Sequence, residues 1–219
     1  MSLEALESGR ITHVSQDGNR EFISLLVCIA ADGTALPPAL IYKSDSGVLQ
    51  DTWVEDVNPD DEAFFAVSTK GWSCDVPGLN WLENVFHHYT KQKAGNRRCL
   101  LIVDGHSSYV NLKFINKCDN LHILLLILPS HSTHHLQPLD VSLFALLAIY
   151  YINGLNKLMF NSLGMVNMSK RAFWSVFFPA WQQAFSEKNI NSGFEKTGIW
   201  PYNPSLVLNI ITPQIIEAP

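Results

Sequence analysis

Apolar residues along this chain bunch into short runs with polar, turn-rich stretches between them. Phe22–Ala30 is rich in Ile, Leu and Val and stops at Asp32-Gly33, a strong hairpin signal. Leu36–Tyr42 then reads as the partner strand, with Pro37-Pro38 confined to its start. Lys43–Asp61 is polar and loop-like, and Ala63–Val67 reads as a short strand. Leu79, Leu82, Val85, Phe86 and Tyr89 recur at helical spacing, which predicts an amphipathic helix over Pro77–Gln92 closed by Gly95-Asn96. Cys99–Val103 is a continuous apolar run, the pattern of a strand buried on both faces, and Leu121–Leu128 reads as a second buried strand stopped by Pro129, with a helix over Tyr109–Cys118 between them. From Asp140 the pattern is helical again: Val141, Phe144, Ala145, Ala148 and Tyr151 share a face, and Asp140 can cap its N-terminus.

The order hairpin, helix, strand, helix, strand, helix predicts an α/β fold with a mixed sheet. A helix linking two buried strands implies a parallel pair with a right-handed crossover. The tail differs in character. Ser169 can cap a helix whose Phe173, Trp174, Phe177, Trp181, Ala184 and Phe185 form an aromatic stripe, kinked at Pro179. Such a stripe reads as core. Ser192 starts a short helical turn ending near Gly198, and Trp200–Pro204 reads as extended. The tail is therefore expected to be a helical appendage packed on the sheet.

Composition narrows the setting. A chain of 219 residues, 47% hydrophobic and 16% charged, can bury a core of ordinary size. Its net charge of −5 supplies no global attraction to nucleic acid, so DNA binding would need a local patch. Cys28, Cys74, Cys99 and Cys118 are widely spaced, with no C-x-x-C pair, and the three that sit in or beside apolar runs read as ordinary buried thiols. Met1–Arg10 is polar and acidic rather than signal-like. Leu121–Leu128 and Val141–Ile152 read as too short to span a bilayer, the second interrupted at Asn153-Gly-Leu-Asn156. A soluble intracellular protein with no membrane partner is the expectation.

The candidate chemistry lies in two segments. Cys99-Leu-Leu-Ile-Val-Asp104-Gly-His106 puts a carboxylate where a buried strand ends, and Gln137-Pro-Leu-Asp140 puts another where a helix begins. Paired carboxylates in such positions can share divalent ions for phosphodiester chemistry, although a strand-end turn and a helix cap would each use an Asp for structure alone. Two other readings are weaker. Gly105-His-Ser107-Ser-Tyr109 lacks the closing glycine of a nucleophile elbow, and only Asp119 lies between Ser107 and His131. His131, His134 and His135 have no cysteine or further histidine downstream to complete a zinc set, and read as a loop lining a metal cleft. His87-His88 carries no signal.

These segments closely resemble the DDE superfamily of transposase and endonuclease domains, in its pogo-like branch. Ala31–Pro38, Asp104-Gly-His106, Thr133-His-His-Leu-Gln-Pro-Leu-Asp140 and Thr197-Gly-Ile-Trp-Pro201 carry the likeness, in matching order and separation. The resemblance implies a ribonuclease-H-like fold, with residues 1–160 as the endonuclease core and 161–219 as its helical appendage. Asp104 then looks like the second catalytic aspartate and Asp140 the third, both metal ligands for Mg²⁺ or Mn²⁺. The family's first aspartate sits on an opening central strand upstream of the segment matching Arg10–Arg20. Nothing here supplies it, since Asp17 stands in a Gln-Asp-Gly-Asn turn. Tyr109 stands where a histidine is frequent, and Ala145–Ile149 lacks the usual basic residue.

The resemblance therefore implies a DNA-binding, transposase-derived endonuclease domain of the nucleus, catalytically crippled by the lost carboxylate. The alternative is a non-catalytic domesticated or degenerate remnant acting through protein contacts. Without the central strand, the hairpin and the parallel pair lose their common neighbour, and association of copies through exposed strand edges is expected.

Overall fold

Glycine and aspartate at the tip of the first hairpin set its geometry. In a computed structural model of the chain, which describes residues 23–69, 75–105, 111–163 and 168–211, Gly33 has φ +86° and its N–H bonds to the Ala30 carbonyl at 3.0 Å. The Asp32 carboxylate accepts from the Thr34 N–H and hydroxyl, closing the turn. Strand β1 (Ile23–Leu26) thus returns antiparallel as β2 (Ala39–Lys43), with Ile23 opposite Tyr42. After a polar loop with one 3-10 turn, β3 (Phe64–Ser68) adds to the far side of β2, parallel to it.

The predicted amphipathic helix is present but not uniform. Helix α1 (Asp75–Trp81) passes through a π-helical segment, Leu82–His87, into α2 (His88–Ala94), and Gly95 ends it at φ +57°. Its Trp81, Leu82, Val85 and Phe86 are buried in one cluster with Ile41, Leu101, Phe114 and Ile123. Strand β4 (Cys99–Val103), helix α3 (Leu112–Asn120) and β5 (Ile123–Ile127) form the expected parallel crossover, with Cys99 opposite Ile123. The Asn111 side chain caps α3, accepting from Phe114 N–H at 2.9 Å.

Two expectations about this half are corrected. Among the described residues the strands make two sheets, β1-β2-β3 and β4-β5, rather than one mixed sheet. The parallel pair is also not buried on both faces: Leu101, Val103 and Ile123 are in the core, whereas Leu100 and Leu124 are each about half exposed.

Past a short helix α4 (Thr133–Leu136), a π-helical segment, Leu139–Leu143, leads into α5 (Phe144–Asn161). Asp140 lies inside the first turn; Pro138 occupies the cap position with no side-chain cap bond, so Asp140 does not cap. The inward face is also different: Leu139 and Leu143 are buried and Leu146, Leu147, Tyr150 and Tyr151 pack beside them, while Phe144, Ala145 and Ala148 are exposed. Asn153-Gly-Leu-Asn156 does not interrupt the helix. A Cβ on Gly154 would lie 3.0 Å from Val176 Cγ1, so the missing side chain lets the next helix pack closely and tertiary contact overrides the local signal. The helical stretch Leu139–Asn161 is 23 residues long and apolar enough to cross a membrane by length and composition, contrary to the expectation of a run too short.

Ser169 caps α6 (Lys170–Ala184), accepting from Ala172 N–H, and the helix continues through Pro179. Its Trp174, Phe177, Trp181 and Ala184 are buried with Leu40 and Tyr42 of β2 and Leu143 of the π-helical segment, so the tail packs on the outer face of the hairpin sheet as expected. Helix α7 (Glu187–Thr197) starts five residues earlier than Ser192 and ends at left-handed Gly198. Trp200–Tyr202 forms a turn rather than an extended segment and leads to α8 (Ser205–Ile211).

Candidate functional site

Asp104 follows the last residue of β4, just past buried Leu101 and Val103. The strand end is held to its neighbour by a hydrogen bond from Leu128 N–H to Val103 O at 2.8 Å. A Cβ on Gly105 would meet Leu128 O at 3.4 Å, an ordinary contact, so this turn stays close to the residue that follows β5.

Asp140 is placed by a different set of contacts. The Gln137 carbonyl accepts from both Asp140 N–H and Val141 N–H at 3.0 Å, which winds the chain tightly at Pro138. Helix α7 supports this turn from behind. At Gly193 a Cβ would stand 3.2 Å from Pro138 O, so a side chain there would push away the turn that carries Asp140. Gly193, inside a polar helix, gave no sequence sign of this role.

Asp104 and Asp140, 36 residues apart in sequence, line one groove of about 900 Å³. Asp104 is half-buried and Asp140 exposed. Residues of both sheets line the groove, Ser24–Ala31 with the first and Cys99–Val103 with the second. Away from the aspartates, Lys93, Arg97 and Arg98 also line it. Lys93 bonds to Asp32 at 2.7 Å and Arg98 to Asp119 at 3.1 Å, both at the surface. Burial acts to raise the Asp32 pKa, but its bonds from Lys93 and Thr34 outweigh that and hold it below the ordinary value.

The remaining candidates fall elsewhere. His106, Ser107 and Tyr109 lie outside the described residues. His131, His134 and His135 are not among the groove's lining residues, and the His134 and His135 rings sit against each other, 4.0 Å apart. Among the described residues no three Asp, Glu, His or Cys side chains converge to hold a metal ion. Two aspartates are fewer ligands than a Mg²⁺ or Mn²⁺ pair requires from protein, so this set alone does not fit such a centre. Cys28 and Cys99 also line the groove; burial pushes the Cys28 thiol up to about 12, which keeps it protonated and poorly nucleophilic.

The model of the DDE superfamily endonuclease family matches residues 19–194, the span that carries both aspartates, the hairpin and α7 as far as Phe194. The chain belongs to the DDE superfamily endonuclease family. It is also similar to a protein of Cochliobolus lunatus named "MFS-type transporter clz9", 35% identical over 201 residues that cover 92% of this chain and 21% of that protein. The chain thus spans about a fifth of that relative's length. No solved structure matches it.

Proposed function

We propose that this DDE endonuclease domain binds DNA in the nucleus through the inter-sheet groove, and that the chain by itself does not cut it. The family membership supports the transposase-derived nuclease ancestry and, with it, DNA as the substrate and a divalent metal as the usual cofactor. The observation that carries the rest is the convergence of Asp104 and Asp140 on one groove without a third ligand beside them among the described residues. The two sheets of the described residues, β1-β2-β3 and β4-β5, both line the groove and are compatible with a ribonuclease-H-like arrangement of the pogo-like kind. On this reading residues 1–160 are the nuclease core and 161–219 its helical appendage. Lys93, Arg97 and Arg98 are the local basic patch that an acidic chain needs to meet phosphates.

A transporter role, suggested by the relative's name, is disfavoured. The matched residues form an α/β endonuclease domain, and its long apolar helix turns Leu146, Leu147, Tyr150 and Tyr151 onto the core beside Trp174 and Phe177. A second reading, a non-catalytic remnant acting through protein contacts, is favoured by one feature: the open apolar face of Leu100, Leu124 and Leu126 on the parallel pair.

Fluorescence anisotropy with labelled duplex DNA, beside a gel assay for cleavage in Mg²⁺ or Mn²⁺, tests the proposal. Binding should weaken steeply with salt, and Arg97→Ala should lower the slope of log K against log salt by about 1. No cleavage product should form. Absence of binding at low salt would remove the DNA reading in favour of the remnant. Cleavage lost in Asp104→Ala and Asp140→Ala would show that the chain completes its own catalytic set.

A further inference from the structure

Trp200 lines the groove and is 60% exposed, although an indole carries a large apolar surface that folded domains usually cover. The ring does not hang from a loose segment. Helix α7 ends at left-handed Gly198, the Asn203 N–H bonds to Gly198 O at 2.8 Å, and the Trp200 N–H bonds to Phe194 O at 3.5 Å. The turn that carries Trp200 is therefore tied to itself and to the helix before it. Tyr202, on the same turn, is 79% exposed but does not line the groove.

Helix α7 also packs against the hairpin tip. A Cβ on Gly33 would stand 2.6 Å from Glu187 Cγ and 3.0 Å from Asn191 Oδ1, and the neighbouring Asp32 holds Lys93. Trp200 thus follows a helix seated on the tip that positions Lys93, and Arg97 and Arg98 continue the groove's lining from there. Lys93 and Arg98 pair with aspartates at the surface, where such pairs are weak enough for the cation to turn to a phosphate. Cations along a groove and a flat ring on its wall are the two parts of a single-strand site: the cations follow the backbone and the ring takes the face of a base. A closed duplex offers phosphates but hides its base faces in the stack. We propose that Trp200 is a stacking platform for an unpaired base, so that the groove takes single-stranded DNA in preference to closed duplex. This rests on the DNA-binding reading and narrows its substrate class.

Fluorescence anisotropy on the full chain, with a labelled single strand and a duplex capped by G·C pairs, tests it. Trp200→Ala should weaken single-strand binding by about 5- to 150-fold, the loss of one base stack, and leave duplex binding as it was. The slope of log K against log salt should not change, because no phosphate contact is removed. Trp200→Phe should keep most of the affinity, and Tyr202→Ala should keep all of it. If Trp200→Ala fails to fold by circular dichroism, a single strand carrying 2-aminopurine among thymidines reports on the unaltered protein, where stacking on the indole should quench it. Unchanged single-strand affinity in Trp200→Ala, an equal loss for both DNAs, or an unquenched 2-aminopurine would overturn the platform while leaving the DNA-binding reading in place. Absence of binding to either DNA at low salt would overturn both.

Discussion

Replacing Trp174 with alanine should cost about 3–5 kcal/mol, a large part of the roughly 5–15 kcal/mol that holds a domain folded. The indole is 2% exposed and joins the tail to the hairpin sheet. It stacks on Phe178 with ring centres 4.5 Å apart, meets Phe65 of β3 edge-on at 5.5 Å, and donates its N–H to Asp61 at 3.2 Å. Each aromatic pair contributes about 0.5–1.5 kcal/mol beyond area burial, and the hydrogen bond about 1 kcal/mol because Asp61 is partly solvated. Trp174→Phe keeps most of the packing and loses the hydrogen bond, so it should cost about 1–2 kcal/mol. Asp61→Asn should then add little to Trp174→Phe, whereas the two single changes should each be felt. Urea unfolding followed by far-UV circular dichroism reads these differences without relying on indole fluorescence. The unaltered protein should unfold in one transition, because Leu40 and Tyr42 of the sheet share a cluster with Trp174, Phe177 and Trp181 of the tail. A Trp174→Ala midpoint within 1 kcal/mol of wild type, or a tail that melts separately from the sheet, would refute the claim that this contact welds them.

Further outcomes follow from single atoms. The Tyr42 hydroxyl is buried with no hydrogen-bond partner in the described structure, so Tyr42→Phe should be neutral or stabilising by up to about 1 kcal/mol at pH 7. Burial pushes that hydroxyl up to about 12, above the roughly 10 of an unfolded tyrosine, so its contribution is intact below pH 10 and is lost as pH rises toward 12. Tyr42→Phe should therefore flatten the alkaline fall in stability over that window, measured by denaturant titration at each pH. Gly198 and Gly47 both have positive φ, at +66° and +69°, but a Cβ at Gly198 would lie 2.1 Å from Asn203 O while one at Gly47 meets nothing within 4 Å. Gly47→Ala should cost about 1 kcal/mol from backbone strain alone, and Gly198→Ala clearly more, since it must also break the Asn203 N–H to Gly198 O bond of 2.8 Å.

Local signals were legible where the chain's own chemistry decides the outcome. Asp32-Gly33 makes the hairpin because its carboxylate and its φ of +86° are satisfied within five residues. Cys99–Val103 forms the strand read from its apolar run, with matching bounds. Both aspartates stand at element ends, where residue type alone suits a turn or a cap; the family resemblance singled them out, and both line one groove. What stayed hidden depends on distant partners. The parallel pairing of β3 with β2 crosses a polar loop, and nothing in Phe64–Ser68 encodes its neighbour. Gly154 breaks no helix because Val176 packs against it, and α7 begins at Glu187 although Asn189 and Asn191 are weak helix formers. In α7, Asn189 instead turns its amide back to cap the Gln183 and Ala184 carbonyls that end α6. A side chain that closes one helix while beginning the next leaves no periodic trace.

The split sheet ties stability to chemistry in this fold. Asp104 is held at the end of β4, which has one strand neighbour among the described residues, and Asp140 is held by a turn that Gly193 braces from the tail. Charge neutralisation by Asp104→Asn or Asp140→Asn should therefore leave amide exchange at Leu100–Ile102 as it was, because β4 is paired along its whole length with β5 and needs neither carboxylate to stay in place. Hydrogen–deuterium exchange read by mass spectrometry checks this, and faster exchange there in either variant would show that the aspartates hold β4 as well as line the groove.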